Sequence, residues 1–299
     1  MERRTFLQRS ALIAGAVGVP GLLAACGQGE GEGNPGATAT PAVFEGQPEL
    51  NPVVATFEVL TGAPRSVLFG LRTLDNVEVP ESDVTVYLRD ETGRQILGGP
   101  YDTEYVVAPG TQIGLYRVEL TFDTPGKPQL VAVEGDRYGA TNITVATPET
   151  SQAPAPGTKA TAVPTPTPDK PLGYTKICTQ DPPCDMHEMS LDTALKDKRP
   201  VMLIFATPEF CQTVVCGPAV ATVDDVRNSG DWGDTAWIHV EIYSKTAGAT
   251  PTLGPPVKQW NLPSEPWLFS VGRNGQIVDR LDGPMVTSDI ERMATGLTA

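Results

Sequence analysis

The sequence predicts a multidomain chain in which an N-terminal all-β sandwich is joined to a C-terminal α/β domain. Three observations carry that expectation. Residues 51–147 fall into short segments with a period of two, separated by Gly, Pro and Asp. Residues 148–171 hold seven prolines among 24 positions, a composition that cannot pack a core. Beyond residue 172 the pattern changes. A continuous apolar run at 201–205 follows Pro200, and Val215, Val220, Val223 and Val226 then recur at roughly helical spacing. With 299 residues, each part is large enough to bury a core of its own.

Charge narrows the partners. The formal net charge is −14. Loss of residues 1–25 would take Lys+Arg from 22 to 19 and Asp+Glu from 36 to 35, leaving −16. No basic patch remains, which excludes nucleic acid as the expected partner.

The N-terminus reads as an address. Arg3-Arg4 precede an apolar run over residues 11–25, too short for a comfortable membrane span. The arrangement resembles a twin-arginine export signal. Leu23-Ala24-Ala25-Cys26 resembles a bacterial lipobox, which implies cleavage before Cys26 and diacylglycerol on its thiol. The resemblance places residues 1–25 as signal peptide. It makes the mature protein an extracytoplasmic lipoprotein, held to the bacterial cell membrane through lipid on Cys26.

Residues 26–50 are then a lipidated cysteine and a Gly/Ala/Thr/Pro tether. Strands are expected at 53–60, 66–73, 84–89, 103–107, 115–122, 129–134 and 141–146. The clearest puts Tyr116, Val118, Leu120 and Phe122 on one face, with Arg117, Glu119 and Thr121 on the other. About seven strands in ~100 residues suggest an antiparallel sandwich over 51–147, which resembles the immunoglobulin-like modules of bacterial surface proteins. It holds no His or Cys, and reads as a spacer or protein-binding module. Residues 148–171 are expected to form a semi-rigid linker.

In residues 172–299, Ser190 can cap a short helix at 191–196. A strand at 201–205 leads into Cys211-Gln-Thr-Val-Val-Cys216 and a helix to about residue 227. A strand at 237–243, a short helix at 256–260 and strands at 266–271 and 276–281 follow. Asn274-Gly275 marks the hairpin between the last two, and a helix at 285–297 ends the chain. Cysteines at a strand-to-helix junction suit a thiolate, because the free N–H groups of a helix start stabilise negative charge.

This order, with cysteines after the first strand, resembles the thioredoxin family. The resemblance implies a cis-proline at Pro266, with the Glu265 backbone as a peptide-docking edge. It also implies that Cys211 attacks and Cys216 resolves. The sequence departs from the family in two ways. Four residues separate the cysteines instead of two, and Ile204 stands where many thioredoxins bury an acid.

Cys178 and Cys184 complete the set. With Cys26 lipidated, four cysteines remain, an even number that an exported protein usually oxidises. Cys178–Cys184, across Pro182-Pro183, is the economical partner of a Cys211–Cys216 disulfide; two other pairings stay open. The stretch Cys184-Asp-Met186-His187-Glu-Met189 offers soft ligands suited to copper(I), but Met186 and Met189 are assigned to the core and no metal or other cofactor is expected. A copper chaperone of thioredoxin fold would need a late histidine, and none follows His239.

The leading expectation is thiol–disulfide exchange on extracytoplasmic protein thiols or disulfides. The alternative is a redox-inert binding or scaffold lipoprotein in which Cys211–Cys216 is a staple. A peroxiredoxin-like peroxidase ranks lower, because Thr207 lies four residues before Cys211 and that family places its threonine three before. Whether the chain is an enzyme stays open at this point.

Overall fold

The computed structural model of the chain describes residue 44 and residues 46–108, 110–211, 215–245 and 251–298. The expected signal segment, Cys26 and most of the tether lie outside the described residues. The described chain is mostly β, and among its residues no helix is long and apolar enough to cross a membrane.

The N-terminal part builds two four-stranded antiparallel sheets. One runs β1 (Leu50–Val54), β3 (Arg65–Thr73), β7 (Gly114–Leu120), β6 (Glu104–Val107). The other runs β5 (Ile96–Asp102), β4 (Val84–Arg89), β8 (Gln129–Glu134), β9 (Arg137–Asn142). The short strands β2 (Val59–Leu60) and β10 (Val145–Ala146) pair in parallel. Alternation decides what is inside: Phe69, Tyr116, Val118 and Leu120 of one sheet share a core with Val84, Val86, Leu88 and Leu130 of the other. The strand expected at 53–60 divides into β1 and β2, and that at 141–146 into β9 and β10. Strand β5 has no counterpart among the expected strands, because Gly98-Gly99-Pro100 reads as a turn. Its glycine is needed: Gly99 has φ +110°, and a Cβ there would lie 2.8 Å from the Val86 carbonyl.

The C-terminal elements match the expected order closely. They are α1 (Leu191–Lys196), β11 (Val201–Phe205), α2 (Cys216–Ser229), β12 (Ala236–Val240), α3 (Pro255–Trp260), β15 (Trp267–Val271), β16 (Ile277–Asp282) and α4 (Thr287–Thr298). A two-stranded pair, β13 (Tyr243–Lys245) with β14 (Thr252–Leu253), is inserted before α3. The main sheet runs β12-β11-β15-β16; β12 is parallel to β11, whereas β15 and β16 run antiparallel. Both faces of β11 are covered, which accounts for its unbroken apolar run. Val201, Leu203 and Phe205 pack with α1 and α3, through Leu191, Val257 and Trp260. Met202 and Ile204 pack with α2 and α4, through Val220, Val223, Ile290 and Met293. The Asn274-Gly275 turn forms as expected, closed by the Gly272 N–H on the Gln276 carbonyl at 2.9 Å.

Residues 148–171 are a strap rather than a stalk. β16 is an edge strand with unspent backbone groups, and the tract supplies partners for them. Gly157 N–H donates to Ile277 O at 2.8 Å, Ile277 N–H to Thr158 O at 2.9 Å, and Ala160 N–H to Gly275 O at 2.9 Å. Ala153 and Val163 enter the same core as Phe205 and Trp267. The strap also corrects the expected helix cap. Ser190 makes no side-chain cap to α1; Thr165 Oγ1 accepts from Leu191 N–H at 2.9 Å instead, and Ser190 Oγ accepts from Thr165 N–H at 2.8 Å.

Ion pairs join the sandwich to the α/β part. Arg280 Nη2 meets Glu58 Oε2 at 2.7 Å, with side chains only 3% and 2% exposed. Arg117 holds Asp289 through two bonds, of 2.7 and 3.1 Å, and Arg65 pairs with Asp279. Asp282 lies at the same junction and accepts from the Phe57 N–H.

Burial pushes the Asp282 carboxyl up to about 7, against the opposing pull of the Phe57 N–H and Arg280. In the unfolded chain it returns to the ordinary value near 3.8. The folded state therefore binds the extra proton in between, and the stability this group contributes is complete below that ordinary value and lost as pH rises through about 7. Urea unfolding at about pH 5 and about pH 8 should show a smaller loss for Asp282→Asn than for the natural chain. Equal losses would mean that Asp282 is already ionised in the fold.

Candidate functional site

Two groups of chemically active side chains converge where β11 and β12 end, the edge at which open α/β sheets commonly place their sites. The first is the cysteine pair. Cys211 and Cys216 form a disulfide with Cα atoms 6.0 Å apart. Cys216 is the first residue of α2 and is fully buried, whereas Cys211 is half-buried. The N-cap of α2 is Val215, whose side chain cannot accept from the first amides of the helix. The N–H groups and dipole of a helix start favour a thiolate placed there.

Pro266 sits opposite this segment. The β11–β15 register pairs Phe205 with Trp267, so Pro266 faces the point where the chain leaves β11 toward the cysteines. The Glu265–Pro266 peptide is cis, the geometry expected from the sequence. Sequence reasoning gave Glu265 a role only through its backbone. Its carboxylate accepts the Thr207 N–H at 2.7 Å, and burial raises it to about 7. A protonatable acid therefore stands at the Thr207 amide, two residues past β11. A cleft next to it is lined by Val215, Ser264 and Glu265 on one side and by Phe57, Ile143 and Thr144 of the sandwich on the other. The Phe57 ring meets Trp267 edge-on at 6.1 Å between centroids.

The second group differs from expectation. Cys178 and Cys184 are free thiols with sulfurs 3.7 Å apart, and no bond joins them. Both histidines of the chain reach the same point. Cys184 Sγ lies 3.5 Å from His187 Nε2 and 3.3 Å from His239 Nδ1, and Cys178 Sγ lies 3.8 Å from His239 Nδ1. The sequence reading named no metal ligands; in the fold these four side chains offer ligand atoms within 4.8 Å of one another. The fold brings them together by docking the loop before α1 against β12, with His239 N–H donating to Met186 O at 2.8 Å.

Protons in this group follow from the partners. The Ala206 carbonyl can only accept, so His239 Nε2, 3.0 Å away, carries the hydrogen and Nδ1 turns its lone pair to the sulfurs. Glu241 lies 3.8 Å from the same Nε2 and accepts the Thr179 N–H at 2.6 Å. The Cys184 thiol, with the two imidazoles adding to its effect, holds Cys178 well below the ordinary thiol range. Cys184 is pushed up by Cys178 and by burial. His187 is held down by burial, and its Nδ1 meets no hydrogen-bond partner among the described residues.

The sequence did carry signals for this cluster. His239 interrupts the apolar strand Trp237-Ile-His-Val, and Cys184 and His187 stand at an x2 spacing. What the sequence lacked was the loop's path, which alone brings residues 178 and 239 together.

No family model matches the chain, and no curated protein matches it. Solved structures give likenesses at low identity. The Lin-41 filamin domain aligns at 12% identity over 33% of this chain and 93% of its own, with a TM-score of 0.23. A thiol:disulfide interchange protein of the thioredoxin family from Chlorobium tepidum TLS aligns at 12% identity over 47% of this chain and 100% of its own, with a TM-score of 0.31. The IG27 protein domain aligns at 18% identity over 33% of this chain and 91% of its own, with a TM-score of 0.20. The structural neighbours thus include an immunoglobulin- or filamin-like domain and a thioredoxin-family protein.

Proposed function

We propose that the chain is a membrane-anchored extracytoplasmic thiol–disulfide exchange protein, with a thioredoxin-like C-terminal domain that carries a four-residue spacing between its cysteines. The observation that carries this reading is the Cys211–Cys216 disulfide at the start of α2, just past the end of β11, with Cys211 half-buried and Cys216 fully buried. The anchoring part rests on Arg3-Arg4 and the lipobox-like Leu23-Ala-Ala-Cys26.

In the reducing direction, the Cys211 thiolate attacks one sulfur of a client disulfide and the other client sulfur leaves as thiolate. Cys216 then loses its proton and attacks Cys211, expelling the second client sulfur and closing the Cys211–Cys216 bond. The client gains two electrons, and the reverse sequence oxidises a client dithiol. The exposure of the two sulfurs sets their roles, since a client can reach Cys211 and not the buried Cys216. The cleft shared with the sandwich gives a client backbone a place to lie along Ser264 and Glu265.

Cys216→Ser tests the assignment. The resolving step is removed, so Cys211 should hold clients as mixed disulfides that survive alkylation and release on reduction. Cys211→Ser should hold none. Equal trapping by both variants, or by neither, would contradict this division of roles between the two cysteines.

A further inference from the structure

Away from the cysteine pair, the Cys178, Cys184, His187 and His239 side chains form a closed cluster to which the exchange reading gives no role. From their geometry we propose that these four residues bind a zinc ion.

Distances support a single tetrahedral ion. Zinc bonds of about 2.3 Å to sulfur and about 2.0–2.1 Å to nitrogen, at tetrahedral angles, set two sulfurs about 3.8 Å apart and a sulfur and nitrogen about 3.6 Å apart. The sulfurs here are separated by 3.7 Å, three of the four sulfur–nitrogen pairs by 3.3, 3.5 and 3.8 Å, and all four ligand atoms lie within 4.8 Å of one another. Two thiolates cancel the charge of the ion, and two imidazoles complete a donor set that selects zinc among tetrahedral metals.

Orientation supports it as well. The Ala206 carbonyl fixes the His239 ring so that Nδ1 faces the sulfurs, as outer partners do for metal-bound histidines. Cys184, His187 and His239 are buried, which suits a structural site with no position left open for substrate. A Cys178–Cys184 disulfide would need the sulfurs to close from 3.7 Å and would leave two buried imidazoles turned toward atoms that no longer call for them. The ion would pin the loop of residues 178–187 to the edge of β12, next to the helix that begins at Cys216.

The site does not depend on the exchange reading and is tested separately. The full chain, purified under reducing conditions with zinc supplied, should carry about one zinc per molecule by elemental analysis. Cobalt(II) added to the apoprotein should give thiolate charge-transfer bands and the strong visible absorption of a tetrahedral site. Alkylation should modify Cys178 and Cys184 only after chelation. Cys184→Ser and His187→Ala should each weaken zinc binding by more than the ~10–100-fold that loss of an outer partner costs. If these variants misfold, chelation of the natural chain still decides the matter through cobalt spectra and thiol protection. A metal-free protein with a Cys178–Cys184 disulfide, copper in place of zinc, or zinc retained in both variants would each overturn the proposal.

Discussion

Arg280→Ala is expected to destabilise the folded chain by about 3–5 kcal/mol, the usual cost of stripping one partner from a buried ion pair. Arg280 is the point where three parts of the chain meet. Its Nη2 binds Glu58 of the sandwich, and its Nη1 donates to Ser151 Oγ and the Ala153 carbonyl of the strap, each at 2.8 Å. Its guanidinium also lies over the Trp267 ring, 5.0 Å from the centroid. Alanine would leave Glu58 charged in a site that is 2% exposed, and would leave strap acceptors without their donor. Lysine is a poor substitute, since one ammonium cannot serve carboxylate and carbonyls in a planar fork. The paired change Glu58→Gln with Arg280→Met removes both charges, and should recover most of the loss. Urea unfolding of the full chain measures each. A cost under about 1 kcal/mol for Arg280→Ala would mean that the junction is held by something else.

How much of this was legible in the sequence depends on the range of the interaction. The two-sided burial of β11 could be read from Val201-Met-Leu-Ile-Phe, because a strand covered on both faces has no polar alternation. The position of Pro266 followed from its place ahead of the final hairpin. The strap could not be read. Its prolines correctly exclude helix and central strand, but they say nothing of what their neighbours' free amides will meet. In the fold the Gly157 amide meets β16, the Ala160 amide meets Gly275 in the turn before it, and Thr165 caps α1. The two histidines are 52 positions apart in the numbering, and only the fold brings them to one pair of sulfurs. Even cysteine number suggested a disulfide where the packing assembles four ligand groups, because counting takes no account of imidazoles.

The Glu265 carboxyl teaches a related lesson. Ile204 is visibly apolar in the sequence, but the burial of Glu265 against the Thr207 N–H, where the bend before β15 meets the end of β11, is not. A contact between segments 58 positions apart carries no spacing that a linear reading can find.

Reversible redox chemistry at Cys211 and Cys216 is the second expected result, and it rests on one equilibrium. The Cys211–Cys216 bond must open and close at potentials that biological thiols reach. The full chain should be equilibrated across a series of glutathione or dithiothreitol ratios, alkylated, and read by mass at the peptide level. Each cysteine then reports by itself, whatever Cys178 and Cys184 hold. Reversible titration of Cys211 and Cys216 together, between about −120 and about −270 mV, is the predicted result, because that range spans the exchange catalysts. A pair that stays oxidised below about −300 mV would be a structural staple, and would contradict the account.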